Sequence, residues 1–275
     1  MRVLIPEFET KSALVSYLKE NKSKIIEQKK AMPIFSEASN FNVSAVKSKT
    51  AIKSNEPINE DVDVIRVKVV ANTANWLDSH MDVLLPDCWT KSINERKNII
   101  PHLHDHIHKI DAKIGEVVDI YSSQLSYSEI GIDGNGSTQA LVFITDVMKS
   151  YNEKVFNQYK SGKVNQHSIG LQYIKIDLAI NDEDSEKELE FWNKHINQII
   201  NPEAAIERGY FWVVQEIKLL ENSAVLFGSN EMTPTLENNV KNIEPLQDTQ
   251  QTEPLKDTQF SVLSAIKEVQ PQLKS

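Results

Sequence analysis

The chain has 275 residues, and its 40% hydrophobic content is enough for one large domain or two small ones with a packed core. The 39 acidic residues outnumber the 30 basic ones and give a formal net charge of -9, which disfavours nucleic acid and favours proteins as partners. Cys88 is the only cysteine, which excludes an internal disulfide and a zinc site built on several thiolates.

Targeting and membrane segments are not expected. The longest apolar stretches, such as residues 217–227, fall well short of the roughly 20 residues that span a bilayer. Residues 1–10 lack the basic and apolar regions of a secretory signal. We therefore expect that the protein acts in a cytosol and does not associate with a membrane.

The first 35 residues are predicted to form an N-terminal amphipathic helix. Leu14, Leu18 and Ile25 recur near helical spacing within residues 11–31, and Pro33 lies just beyond the end. Residues 36–60 are rich in Ser, Asn and Lys with few large apolar residues, which indicates a linker.

Residues 61–232 are predicted to form the compact domain, with a mainly β core. Ile65, Val67 and Val69 alternate with charged residues, which is the period of a half-buried strand. Helices are predicted at residues 86–96 and 150–160, the second ending at Gly162 in a left-handed cap. Further strands, rich in β-branched and aromatic residues, are predicted at residues 114–120, 140–146, 166–176 and 211–227.

Two segments depart from this β-rich pattern. Residues 180–209 are predicted to be a helical insertion, with a capping box of Ser185 and Glu188 and with Pro202 after the helix end. Residues 233–275 are predicted to be a disordered tail, because the segment 243–250 recurs at 252–259. Residues 260–269 end it with an apolar stripe, interpreted either as a frayed terminus or as a short helix that docks on a partner.

Four histidines stand at alternate positions from His102 to His108, and on an extended strand they would share one face. Such a row is compatible with a metal-dependent hydrolase that uses His102, His104 and His106. The spacing matches no metallo-hydrolase motif. This favours a half-exposed strand in which most of the four histidines are polar side chains without a function and one acts as a base.

Two further candidates are Ser168, at the start of an apolar strand, and Glu221, a carboxylate within an apolar run. Taken alone, Ser168 is equally typical of a strand-end hydroxyl bonded to backbone, and Glu221 of a carboxylate that pairs with a lysine or lies in water at a strand end. A serine hydroxyl becomes nucleophilic only beside a base that a third polar group orients. His106 is 62 positions before Ser168, so the two could meet only on neighbouring strands. Cys88 sits beside Trp89 in an apolar helical stretch, which predicts a packed thiol rather than a nucleophile.

Four segments carry short motifs whose order and spacing along the chain match those of one protein family. They are residues 78–86 with Trp89, residues 100–106 followed by Ile114–Gly115, residues 168–171, and residues 220–230. Together they resemble the prohead (capsid maturation) proteases of tailed bacteriophages, a group similar in fold to herpesvirus assemblins. The resemblance covers about residues 60–232. Met81 stands where the family has glycine, and Leu171 where it has an aromatic residue.

The resemblance implies an α+β fold: a mostly antiparallel, assemblin-like β-barrel flanked by helices, here with a helical insertion. It implies a serine endopeptidase, without a cofactor or metal, in which Ser168 is the nucleophile and His106 the base, with His104 as the alternative base. The resemblance further implies Glu221 as the third catalytic residue, with Glu216 and Asp105 as alternatives.

The implied substrates are scaffold and major capsid proteins, and flexible repeats near the tail also suggest self-processing. The implied place of action is the host cytoplasm, inside the assembling procapsid, with no nucleic acid or membrane partner and with homo-oligomerisation left open. The rival hypothesis from a different class is a noncatalytic capsid assembly or scaffolding factor.

Overall fold

The computed structural model describes residues 5–35 and 62–240, and within them six helices and eight strands are arranged as an α+β fold. The helices are α1 (Lys11–Ala31), α2 (Thr90–Arg96), α3 (Tyr127–Ile130), α4 (Glu153–Lys160), α5 (Glu186–His195) and α6 (Glu203–Arg208). The strands are β1 (Val64–Thr73), β2 (Asp82–Leu84), β3 (His102–His104), β4 (Gly115–Ser126), β5 (Ser137–Met148), β6 (His167–Ile180), β7 (Tyr210–Ala224) and β8 (Thr235–Val240).

The strands form two four-stranded sheets. In the first, the order is β4-β5-β1-β8 and every neighbouring pair is antiparallel. In the second, β7 is central: it pairs antiparallel with β6, and short β2 and β3 run parallel to it. Antiparallel pairing was therefore predicted correctly, but the described residues show two sheets and no closed barrel.

One buried cluster joins the two sheets and α1. It includes Val67 and Val69 of β1, Leu178 of β6 and Leu18 of α1. The alternation predicted for β1 is confirmed, because Val70 faces the other way, into a smaller cluster near α3.

The N-terminal helix is confirmed at Lys11–Ala31. The Thr10 side chain accepts a hydrogen bond from the Ala13 N–H at its start. Its buried residues include Lys29, whose Nζ lies 2.6 Å from Asp82 Oδ1 on β2. A buried ion pair of this kind fixes one arrangement, since separating it would leave a charge without its partner.

The helical insertion is also confirmed, since β6 ends at Ile180, β7 begins at Tyr210, and α5 and α6 lie between them. The predicted capping box is wrong. The Ser185 hydroxyl donates to Asp182 Oδ2 at 2.9 Å, and Glu188 is instead 2.5 Å from Lys22 Nζ of α1. Pro202 precedes α6 and does not terminate α5, which ends seven residues earlier.

Other boundaries differ more modestly. The helix predicted at 86–96 begins only at Thr90, and the strand predicted at 211–227 ends at Ala224, so that the exposed Leu226 and Phe227 lie beyond it. Gly162 has the predicted positive φ, 66°, after α4. The tail assigned to 233–275 starts too early, because β8 pairs with β1.

Two predicted regions, residues 36–60 and the repeats with the apolar stripe beyond 242, lie outside the described residues. Within the described ranges, no helix has both the length and the apolar character needed to span a bilayer.

Candidate active site

Strands β6 and β7 bring Ser168 and Glu221 to the same face of their sheet. Ser168 is paired with Ser223 and Gly170 with Glu221 in the antiparallel register. Directly opposed residues point their side chains to one face, and positions two apart on a strand do the same. Ser168, Gly170, Glu221 and Ser223 therefore share a face, which we call the site face.

A tight turn after β3 brings His106 to this face. The predicted extended row of histidines is wrong, because β3 ends at His104 and the Ile107 N–H closes a turn onto the His104 carbonyl at 3.1 Å. Its two central residues, Asp105 and His106, have φ of 50° and 53°. A non-glycine pair in this region carries backbone strain, and such strain is concentrated at functional sites.

The imidazole of His106 contacts the carboxylate of Glu221. His106 Nδ1 lies 2.6 Å from Glu221 Oε1, and both side chains are almost fully buried. Because a carboxylate only accepts, Nδ1 carries the proton and Nε2 of the neutral ring holds a lone pair. His106 Nε2 is buried and has no hydrogen-bond partner in the described part of the chain. Within the described residues, the ring is thus held by a carboxylate on Nδ1 while Nε2 stays available to accept a hydrogen bond.

Ser223 supports this contact and was not singled out from the sequence. Its hydroxyl donates to Glu221 Oε2 at 2.6 Å and accepts the His106 backbone N–H at 3.2 Å. The signal was present, since the serine is two positions after the glutamate and so shares its strand face. Ser223 thereby orients both the carboxylate and the turn that carries the imidazole.

Ser168 lies beside this assembly. Its side chain belongs to the site face, the residue is 4% exposed, and its Cβ is expected about 4.5–5.5 Å from that of Ser223. Among residues 5–35 and 62–240, its hydroxyl makes no hydrogen bond, to His106 or to any other group. Catalytic hydrogen bonds are often long in the absence of substrate and tighten in the complex.

Gly170 has a steric role in the site. A Cβ placed there would lie 2.5 Å from Glu221 Oε1 and 2.5 Å from the Phe35 ring. Any side chain at this position would displace the carboxylate or Phe35, so the glycine of the Ser-Ile-Gly segment is explained by close packing.

The alternative residues are held elsewhere. His104 Nδ1 contacts its neighbour Asp105 at 3.2 Å, at a largely exposed carboxylate. Glu216 is 3.1 Å from Lys91 Nζ. Of the three carboxylates considered, Glu221 is the one bonded to His106.

The histidines proposed as metal ligands do not lie together at one site. His102 is fully buried on the opposite face of the sheet, where its Nδ1 is 2.9 Å from Thr145 Oγ1. In the residues that the structure describes, no three His, Cys, Asp or Glu side chains are grouped so as to hold a metal ion. Cys88 is buried, and burial raises the pKa of its thiol well above the usual value, which keeps it protonated.

Comparisons of the chain with protein-family models, with curated proteins and with solved structures found no match.

Proposed function

We propose that this chain is a serine endopeptidase with Ser168 as nucleophile, His106 as general base and Glu221 as the residue that orients the imidazole. The observation that carries the proposal is the His106–Glu221 contact of 2.6 Å, on the face that also bears Ser168, with a His106 Nε2 that has no partner among residues 5–35 and 62–240. A serine, an imidazole and a buried carboxylate are the three members of a catalytic triad, and we expect the hydrogen bond between Ser168 Oγ and His106 Nε2 to form when substrate is bound.

The chemistry follows from the ring's tautomer. Ser168 Oγ attacks the carbonyl carbon of the scissile peptide while His106 Nε2 takes its proton, and the protonated imidazole then gives that proton to the leaving amine. Glu221 stabilises the imidazolium through Nδ1–H without itself taking the proton. In the second step, His106 Nε2 takes a proton from the water that attacks the acyl-enzyme. It then gives that proton to Ser168 Oγ as the acid product leaves.

The class of substrate comes from the resemblance to prohead proteases. We infer that the substrates are scaffold and major capsid proteins, that the tail is also cut, and that the reaction takes place inside a procapsid assembling in the host cytoplasm. The assemblin-like arrangement is part of the same proposal, and the antiparallel pairing of β6 with β7 supports it.

The experiment that tests the proposal is cleavage of coexpressed scaffold and capsid proteins, followed by intact-mass spectrometry. Wild type should produce defined fragments, and Ser168→Ala should produce none because the attacking hydroxyl is removed. Ser137→Ala, which removes an exposed serine hydroxyl at the start of β5, is the matched control and should cleave normally. Undiminished cleavage by Ser168→Ala would remove the nucleophile assignment, and no cleavage by any variant would favour a noncatalytic assembly factor.

A further inference from the structure

Within the described residues, the outer edge of β6 next to Ser168 has backbone groups that pair with no strand. Asn222 donates its N–H to the Pro101 carbonyl at 3.0 Å, away from β6. Ile169, which is opposite Asn222, therefore belongs to a non-hydrogen-bonded pair, and its own N–H and C=O face away from β7. Neither group has a hydrogen-bond partner within residues 5–35 and 62–240. An unpaired strand edge of this kind accepts another extended chain.

The chain's own N-terminal segment already pairs at the adjoining position. The Ile34 N–H donates to the Leu171 carbonyl at 2.7 Å, and the Leu171 N–H donates back to the Ile34 carbonyl at 3.0 Å. This is an isolated antiparallel bridge, so the segment runs opposite to β6, toward Ser168. We call residues 33–35 the arm.

Phe35 occupies the space above Gly170. A Cβ built on Gly170 would lie 2.5 Å from the ring, and the ring packs edge-on against His108 with centroids 3.9 Å apart. Phe35 thus sits between β6 and the segment that follows the His106 turn. An aromatic side chain fits this position because the glycine leaves room for it.

The arm is held near β6 by firm anchors. Lys29, in the last turn of α1, forms the buried ion pair with Asp82, and the Gln172 side-chain amide donates to the Lys30 carbonyl at 3.1 Å. A tethered segment competes for its site at an effective concentration that reaches about millimolar for short tethers.

We propose that the β6 edge from Ile169 to Leu171 is the docking edge for an extended segment of the protein substrate, and that the arm is an intramolecular competitor for it. The inference rests on the proposed function. A substrate segment bound in the register of Ile34 has one residue opposite Leu171. The substrate residue three positions later then lies opposite Ser168. Main-chain hydrogen bonds to the edge would give affinity. The space above Gly170 that Phe35 fills would favour an aromatic or large apolar substrate side chain, two positions before the substrate residue opposite Ser168.

A competitor reduces the apparent affinity of the substrate by the fraction of molecules in which the edge is free. Ile34→Pro removes the N–H that donates to Leu171, so it releases the arm while leaving the anchors of α1 intact. Phe35→Ala weakens the same contact by a different route, which guards against a folding defect in the first variant.

The test is fluorescence anisotropy with a labelled peptide whose sequence is that of residues 32–37, in a Ser168→Ala background that prevents cleavage. Ile34→Pro and Phe35→Ala should each bind the peptide at least about tenfold more tightly than the background alone. Phe8→Ala is the matched control, because Phe8 packs on Tyr17 in the N-terminal half of α1, and it should leave affinity unchanged. Equal affinity in all four proteins, or no binding in any, overturns the inference.

A second readout separates this inference from the proposed function. Labelling of the wild-type chain by a fluorophosphonate probe requires an activated serine but no docking edge. Tighter peptide binding in the arm variants without any labelling supports the edge and contradicts the protease. Labelling of wild type with unchanged peptide binding contradicts the edge alone.

Discussion

The two faces of the β6–β7 pair both carry histidines, but in opposite settings. On the site face, His106 has a carboxylate on one nitrogen and no partner for the other among the described residues. On the opposite face, which we call the sealed face, His167 donates its Nδ1–H to the Thr233 carbonyl at 2.9 Å and accepts from the Tyr159 hydroxyl at 2.9 Å.

The two settings distinguish a structural histidine from a candidate base. His167 uses both ring nitrogens within the fold, and burial lowers its pKa to about 4, so the ring stays neutral. The nearby His102 is likewise fully buried, and burial lowers its pKa well below the usual value. Of the two faces, as far as the described residues show, only the site face combines a carboxylate on one ring nitrogen with a second ring nitrogen that has no partner.

The largest expected effect is on the site face. Glu221→Gln keeps the shape of the side chain but replaces a pure acceptor with a group that can also donate, which favours the wrong imidazole tautomer. Loss of the orienting carboxylate in a triad lowers kcat by roughly 10⁴, and we expect a comparable fall here in the rate of cleavage. Steady-state assays of substrate cleavage measure it.

Glu216→Gln is the control for that change, since it alters a carboxylate on the same strand that contacts Lys91 instead of a histidine. It should change kcat by no more than a few-fold. Equal losses in the two variants would mean that Glu221 has no special relation to the chemistry.

The next effect belongs to the sealed face and concerns stability. Between the ordinary histidine pKa of 6.5 and the folded value of about 4 for His167, the unfolded chain binds more protons than the folded one, so stability falls as pH falls through this window. At about 1.4 kcal/mol per pH unit, the full loss from this residue is roughly 3 kcal/mol. Urea denaturation between pH 7 and pH 4.5 should show the decline.

His167→Gln removes the titrating ring and should flatten that dependence, while His102 and His195, whose pKa values burial also lowers, contribute to the part that remains. An unchanged slope in this variant would show that protonation of His167 does not drive the loss of stability.

The smallest effect tests the support that Ser223 gives to the site face. Ser223→Ala removes one hydrogen bond to Glu221 and the acceptor of the His106 N–H. We expect kcat to fall about tenfold with KM unchanged, as for the loss of a net 1–1.5 kcal/mol of orienting hydrogen bonds. Ser223→Thr retains the hydroxyl and should restore most of the rate. A fall in thermal stability with unaltered kcat would assign Ser223 a structural role only.

Most of the fold's local elements could be predicted because they depend on short-range patterns. The alternation of Val67 and Val69, the helical spacing of Leu14 and Leu18, and the left-handed glycine at 162 each identify an element from neighbouring residues. The way in which the strands are divided between two sheets depends on long-range packing, and the predicted closed barrel is not found among the described residues.

The candidate site shows the same division. The sequence pointed to Ser168, His106 and Glu221, and the structure brings Glu221 to His106 and puts Ser168 on the same face. The sequence could not show that the histidine row ends in a turn at Asp105 and His106. Both residues have a positive φ, and neither is the glycine that usually marks such a turn. The sequence could not assign Phe35 to the site either, since that contact joins residues more than 130 positions apart in the chain.

The most direct test of the account is to treat the wild-type chain with a fluorophosphonate probe and to locate the modified residue by peptide mass spectrometry. Covalent capture requires a hydroxyl that a neighbouring base activates. The account predicts modification at Ser168 in wild type and none in His106→Ala. Modification at another serine, or equal labelling of Ser168 when His106 is absent, would contradict it.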